Sequence, residues 1–393
     1  MTNSTGAKVQ FGLILIAHAL GAMSLLSVLT AGPQLMVALA LTPLQLGGLA
    51  SVYSASLAAA SLPTGLLTDR LGIRKSLILA AMIITSGLLL SATSQGLGQL
   101  SAGIALCGAG YGLINPAAGL AITFWFSQKW RTTLLSLKQT GVPAGAAVGS
   151  LTAVLGTVWG WQVGIILAAA FSLIAGMLFV LFLPFDGNSP ERTTPHEGKL
   201  AEVLTLPGLG RANIAAGLTN GIQFALWAHI PALLQQSYEA GATLLGLSLA
   251  ALHSGTFVGR VVWGALTDRF MRGNSAYALW WLCLLGLAGV AILASGTLIA
   301  SPVLAVIACF ILGFTTCAAV GLHVALTATI APENLLGGAM GYTMLVTNIG
   351  GIAVPMLLGF AVLIAGMTGA VLTLTILLSL ALVILRKFIS SLK

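Results

Sequence analysis

GLLTDRLGIRK, residues 65–75, is a charged turn set between two apolar runs, and GALTDR, residues 264–269, is its partial copy. Asp69 of the first and Asp268 of the second stand 199 residues apart in a chain of 393. A chain that repeats itself at about half its length has two similar halves. The second copy is preceded by HSGTFVGRVVW, residues 253–263, an apolar helix that carries Arg260 among small, apolar and hydroxyl residues. The repeat therefore predicts the architecture, and the arginine before it marks a place for a ligand.

Composition puts both copies in a membrane. Charged residues make up 6% of the chain, 58% is hydrophobic, and the mean hydropathy is +1.04. A soluble domain carries about a quarter charged residues. A hydrocarbon slab of ~30 Å takes ~20 apolar residues per helix, so the chain holds about twelve spans. The pattern places them near 11–34, 42–67, 75–92, 97–126, 132–158 and 162–183, then 211–236, 243–266, 276–295, 302–330, 335–363 and 368–385. The apolar run beginning at Phe11 continues past Leu29 and reads as the first span, not a cleaved leader. Residues 184–206 read as a water-exposed linker with three prolines, and they hold Asp186, Glu191, Glu197 and Glu202, half of the eight acidic residues. The expected domains are 1–183 and 207–393.

The formal charge of +8 could suggest nucleic acid, but its placement argues for topology. Of sixteen Lys and Arg, all but Lys138 and Arg260 fall in one alternate set of loops or at the termini. Basic residues hold short loops on the cytoplasmic side, so both termini are expected in the cytoplasm, in the cell (inner) membrane. Cys107, Cys283, Cys309 and Cys317 lie in apolar helices without metal spacing and read as packing residues. No phosphate-cradling loop, metal-ligand spacing or activated nucleophile is present. The expectation is a non-enzyme without cofactor, driven by gradients.

The paired motif resembles the hallmark loop of the major facilitator superfamily, between its second and third helices, with the degenerate copy at the eighth-to-ninth loop. The resemblance covers essentially the whole chain. It implies an all-α integral membrane protein of twelve helices in two pseudo-symmetric six-helix bundles, with a central cavity opening alternately to each side by a rocker-switch motion. It also implies that the loop locks the bundles through ion pairs and a helix terminus. That role falls on Asp69, Arg70, Arg74 and Lys75, with Gly65 and Gly72 permitting a close turn, and on Asp268 and Arg269 as a weaker counterpart. In that family a glycine ridge such as Gly141, Gly145 and Gly149 can lie where the bundles slide. Some proton-coupled exporters of the family have a Gly-Pro pair there, where this chain has Val142-Pro143.

Candidate ligand groups are the polar residues left inside spans. No acidic residue falls deep in a span, so Arg260 and Lys138 lack carboxylate partners in their own helices, and an intramembrane charge survives where it faces a cavity or a partner. Cations without carboxylates attract an anion. Arg260 lies eight residues before Asp268, ~12 Å along a helix. The pattern Arg260-x3-Gly264 resembles helix eight of monocarboxylate transporters and oxalate–formate exchangers, where an arginine engages the carboxylate. His253 and Thr256 share its helical face. Tyr53, Asn115, Asn220, Gln223, Trp227, Tyr342 and Asn348 are further expected lining residues; His18, His229 and His323 could serve as cavity groups or bond backbone.

The expected function is secondary transport of a small anion, an organic carboxylate, by a monomer in the lipid bilayer, with a coupling proton or counter-anion and no nucleic acid. The alternatives are a proton-coupled exporter of a neutral or cationic compound, or a membrane sensor on the carrier fold. Exporters commonly use a membrane-embedded carboxylate, and sensors an added soluble domain.

Overall fold

The computed structural model describes residues 4–126, 134, 137–184, 200–239, 241–332 and 335–390, and among these the regular structure is helical. The N-terminal elements are α1 (Ser4–Leu29), α2 (Gly32–Ala38), α3 (Pro43–Leu71), α4 (Ile73–Ala92), α5 (Leu97–Trp125), a 3₁₀ turn at Lys138–Thr140, α6 (Gly141–Trp159) and α7 (Trp161–Phe182). After the short α8 (Leu200–Leu204) come α9 (Leu209–Tyr238), α10 (Ala242–Phe270) and α11 (Ser275–Leu298). The chain continues with α12 (Pro302–Phe314), a 3₁₀ turn at Thr316–Ala318, α13 (Val320–Ile330) and α14 (Leu336–Ser390). Nine stretches among the described residues are long and apolar enough to cross a membrane, or ten with the bent pair Gly32–Ala38 and Pro43–Ala60. The fifty-five-residue α14 is two helices joined at Ala365 and Gly366, where the backbone leaves helical geometry. At 1.5 Å per residue its two arms each suit one crossing.

The chain divides into two compact units, residues 1–41 with 52–191, and residues 42–51 with 192–393. In the first unit α1 packs on α6, and α4 on α5 and α7. In the second, α9 packs on α14 and α10 on α12, while Ser51 Oγ donates to the Ile352 carbonyl at 2.5 Å. Most of the linker expected at 184–206 lies outside the described residues.

In lipid, helix association rests on close packing and interhelical hydrogen bonds, because a neighbouring helix is no less apolar than the lipid. Gly145 shows the packing: a Cβ there would overlap the backbone of Ala19 on α1. Gly141 and Gly149 meet Leu15 and Met23 on the same helix in the same way. The glycine ridge, which the family resemblance allows at a sliding surface between bundles, thus packs on α1 within its own unit. Large apolar side chains such as Met82, Leu181, Phe182 and Leu298 are exposed, which suits a surface bathed in acyl chains.

Three expectations about continuity change. The first span, expected over 11–34, ends at Leu29, and Pro33 opens the separate α2, which turns by 119° into α3. The tenth, expected unbroken over 302–330, is interrupted at Thr315, with φ −101° and ψ −90°. There the hydroxyls of Thr315 and Thr316 donate to the carbonyls of Ile311 and Leu312 at 2.6 and 2.7 Å, offering the backbone an alternative to the helix ladder. The charged motifs, read as turns, are largely helical. α3 runs through Asp69 and Arg70 to Leu71, and α10 through Asp268 and Arg269 to Phe270. Gly72, at φ 83°, then makes a one-residue break before α4. In the copy the break is four residues long, closed by Asn274, whose side chain accepts from the Tyr277 amide at 3.0 Å.

Candidate functional site

The candidate groups of the second unit are built on α9 and α10. On α10, His253 and Thr256 are buried and Arg260 is half-buried, at spacings of three and four that put them on one face. Thr256 Oγ1 donates to the Leu252 carbonyl at 2.7 Å. The stripe faces the break in the tenth span: Cys317 lies beside the Thr256 and Thr316 hydroxyls and within electrostatic reach of the Arg260 guanidinium. The break also frees the Phe314 carbonyl, which accepts from Trp263 Nε1 at 3.0 Å. The indole of the α10 face thus bonds the backbone at the break.

α9 is the most polar helix of this unit and is buried along most of its length. Such a helix can lie in a bilayer only if its polar groups point into the unit. Thr219 Oγ1 is within 3.0 Å of the Ala215 carbonyl and 2.9 Å from His323 Nε2 on α13. This contact ties α9 to α13 through a hydroxyl and an imidazole. Asn220 Nδ2 donates to the Thr347 carbonyl at 2.9 Å. Gln223 and Trp227, each 2% exposed, carry Oε1 and Nε1 atoms with no hydrogen-bond partner among the described residues. The Phe224 and Trp227 rings lie 5.3 Å apart. His229 donates from Nε2 to the Pro355 carbonyl at 3.0 Å. On α14, Thr343 donates to Asn213 Oδ1 at 2.7 Å and lies 3.0 Å from Thr327. Asn348 is half-buried, and Tyr342 packs against the cluster of Val203, Leu209 and Ala339.

In the first unit Lys138 opens the 3₁₀ turn before α6 and is 7% exposed. Its charge reaches the ring of His18 on α1. His18 is fully buried, and neither ring nitrogen has a hydrogen-bond partner among the described residues. Tyr111 sets its ring edge-on to His18 at 6.1 Å and stacks with Tyr53 at 6.4 Å. Tyr53, an expected lining residue, instead donates its hydroxyl to the Gly21 carbonyl of α1 at 2.8 Å and is buried between helices. Asn115 is half-buried on α5, just before Pro116.

The expected lock residues occupy helix ends. Arg70 is exposed at the end of α3, and Asp268 and Arg269 are exposed at the end of α10. Arg269 lies 5.6 Å over the Phe270 ring. Arg74 Nη2 donates to the Val180 carbonyl near the end of α7, tying two helices of its own unit together. Lys75 is exposed beside it on α4, and Gly65 lies in α3. The side chains of 61–66 and of Asp69 lie outside the described residues.

Pairings invisible to a reading along the chain are His18 with Lys138, Thr219 with His323, and Asn213 with Thr343, each separated by more than a hundred residues. A usable signal was the crowding of Asn and Thr on α9. An apolar groove between α4 and α7, lined by Met82, Thr85, Ser172 and Met177, contains none of the candidate groups.

Comparison with known proteins identifies the family and the fold. Residues 14–355 match the Major Facilitator Superfamily. The gentisate transporter of Corynebacterium glutamicum is 27% identical over 337 residues, covering 80% of this chain and 72% of that protein. A bacterial homolog of the human lysosomal transporter Spinster, inward-facing and unoccupied, shares the fold with TM-score 0.76 at 14% identity, over 99% of both chains. The nucleoside transporter NupG does so with TM-score 0.76 at 14% identity, over 98% of this chain and 99% of that one. With its duplicated motif, its apolar spans and this match over most of its length, the chain belongs to the Major Facilitator Superfamily and is a multi-pass membrane transporter, not an enzyme.

Proposed function

We propose that the cargo is a small aromatic carboxylate, bound through Arg260 and carried by alternating access. The observation that carries this reading is the Arg260 stripe: a half-buried guanidinium on an apolar helix, sharing a face with buried His253 and Thr256. A carboxylate ~4 Å from the guanidinium gains ~4 kcal/mol at an effective dielectric of ~20, before desolvation is subtracted. That suits a carrier, which must release what it binds. The similarity to a transporter of gentisate, an aromatic organic anion, supports the aromatic class. A coupling proton would travel on His253 or on the cargo itself.

The test is uptake of radiolabelled benzoates, aliphatic carboxylates and organic cations into proteoliposomes. Saturable uptake of benzoates, lost in Arg260→Gln protein that still runs as a single gel-filtration peak, is the expected result. Uptake of cations alone, or unchanged benzoate uptake by that variant, would overturn the reading.

Both termini are assigned to the cytoplasm, on the basic loops. The four native cysteines are fully buried, so they add little background to thiol labelling. A cysteine at Glu239 should react with an impermeant maleimide in intact cells, and one at Lys393 should not. Labelling at Lys393 would invert the topology.

A further inference from the structure

The groove between α4 and α7 takes its shape from three small residues. Ala81, Ser172 and Gly176 meet there, and a Cβ on Gly176 would come within 3.3 Å of the Ala81 Cβ. Larger side chains line the rest, Ile78 and Met82 on α4 and Leu173, Met177 and Val180 on α7, around a space of about 220 Å³. Two hydroxyls line it as well, and both are turned to the Ala81 carbonyl. Thr85 Oγ1 donates to it at 2.8 Å and Ser172 Oγ at 3.1 Å. A lining whose hydroxyls are engaged by backbone suits a hydrocarbon chain, since a polar ligand would leave its own groups unpaired there.

Among the described residues that line or cap the groove, charge stands at one end. Arg74, Ile78, Ala81 and Thr85 follow one another at spacings of four, three and four, along one face of α4. Arg74 donates to the carbonyl of Val180, itself a groove residue, which holds the guanidinium at the mouth. Lys75, exposed and three residues before Ile78, adds a second positive charge. Arg74 and Thr85 are eleven residues apart, ~16 Å along the helix, and half of a hydrocarbon slab is ~15 Å. The groove therefore has the length and polarity of one lipid in one leaflet, with cations at the surface and an apolar trough toward the midplane. Charge decides between a lipid and a second copy of this chain. The chain carries eight acidic residues against sixteen basic ones, whereas every phospholipid brings a phosphate to that end.

We propose that the α4–α7 groove is a binding site for an anionic phospholipid, with an acyl chain along Ala81 and Gly176 and the headgroup phosphate at Arg74 and Lys75. Lipid tails are as apolar as any side chain, so the trough by itself selects no lipid. Selection falls to the headgroup. A zwitterionic headgroup offsets its phosphate with an ammonium, and an anionic one does not. Each Lys or Arg near the surface then favours the anionic lipid about fivefold. The site is separate from the Arg260 stripe and stands whatever the cargo is.

The experiment uses full-length protein in phosphatidylcholine vesicles that contain a trace of phosphatidylglycerol or phosphatidylcholine bearing a diazirine in one acyl chain. After illumination, labelled peptides are mapped by mass spectrometry. The phosphatidylglycerol probe should label 78–85 and 172–180 about tenfold more than the phosphatidylcholine probe, from two cations acting together. Lys75→Gln should cut that preference about fivefold. Gly176→Leu, which fills the trough, should remove the labelling of both segments by either probe. Equal labelling by the two probes, phosphatidylglycerol label spread evenly over the exposed helices, or an unchanged preference in Lys75→Gln would each overturn the proposal. Disulfide-linked dimers through a cysteine at Met82, without enrichment of label, would give the groove to a second copy and overturn it too. Gly176→Leu protein must keep its gel-filtration peak; if it does not, Lys75→Gln, a change at an exposed side chain, decides alone.

Discussion

In the N-terminal unit Gly145 of α6 presses on the backbone of Ala19 in α1, and in the C-terminal unit Gly350 of α14 presses on the backbone of Gly217 in α9. The close approach is the same in both halves. The chemistry around it differs. At the 199-residue offset of the charged motifs, His253 and Arg260 correspond to Ser54 and Ser61. The N-terminal cation instead stands on the 3₁₀ turn before α6, facing His18. Duplication has kept places where backbones meet, while the charged and imidazole groups inside the spans differ between the halves. A repeat seen in sequence therefore predicts packing in both halves, but predicts binding groups in neither.

The sharpest way to break this contrast is at Arg260. Arg260→Gln is expected to lower carboxylate affinity by about 100-fold, the order found when one partner of a desolvated charge pair is truncated, with thermal stability little changed. Arg260→Lys should recover only part, since it keeps the charge and loses the planar two-point fork. Isothermal titration of the purified variants with the best benzoate would measure both; full recovery by lysine would reduce the site to a point charge.

The shared packing can be broken symmetrically. Gly145→Ala and Gly350→Ala each place a Cβ against backbone, and each should destabilise by about 2 kcal/mol. Similar losses in a denaturation series would sharpen the view that packing is duplicated, and a loss confined to one unit would refute it. Next comes Lys138→Gln, for which a loss of affinity below about tenfold is expected, since the amine lies at the start of its span and can reach along its stem. A loss as large as that of Arg260→Gln would give the two units equal parts in binding.

The smallest effect is expected from histidine. His253→Gln should alter uptake at fixed pH by no more than about threefold, yet remove the response to an imposed pH gradient. His18→Gln should leave that response intact. The reverse pattern would move proton coupling from the second unit to the first.

Which parts were legible in the sequence follows from how far apart the interacting residues lie. The repeat, the spans and the face shared by His253, Thr256 and Arg260 depend on local spacing, and all three could be read along the chain. The hydrogen bond from Tyr53 to Gly21, the anchoring of Arg74 on Val180 and the pairing of Thr219 with His323 depend on which helices become neighbours. No periodicity contains that information. The charged motifs were misjudged for a different reason: polar residues in the last helical turn look like loop when hydropathy is the guide, although arginine is a good helix former and favours a helix C-terminus.

The interruption at Thr315 also has a consequence for how heat and solvent reach this helix. Split there, the tenth span becomes two segments of thirteen and eleven residues, each too short to cross a ~30 Å slab alone. The amides around the break have left the regular ladder, so they should exchange with deuterium faster than their equally buried neighbours at Leu312 and Leu322. Trp263 is the clasp that slows this opening. Replacing it with phenylalanine should raise the local exchange rate at 316–319 and leave the ends of both segments protected, separating a joint that opens from a helix that frays.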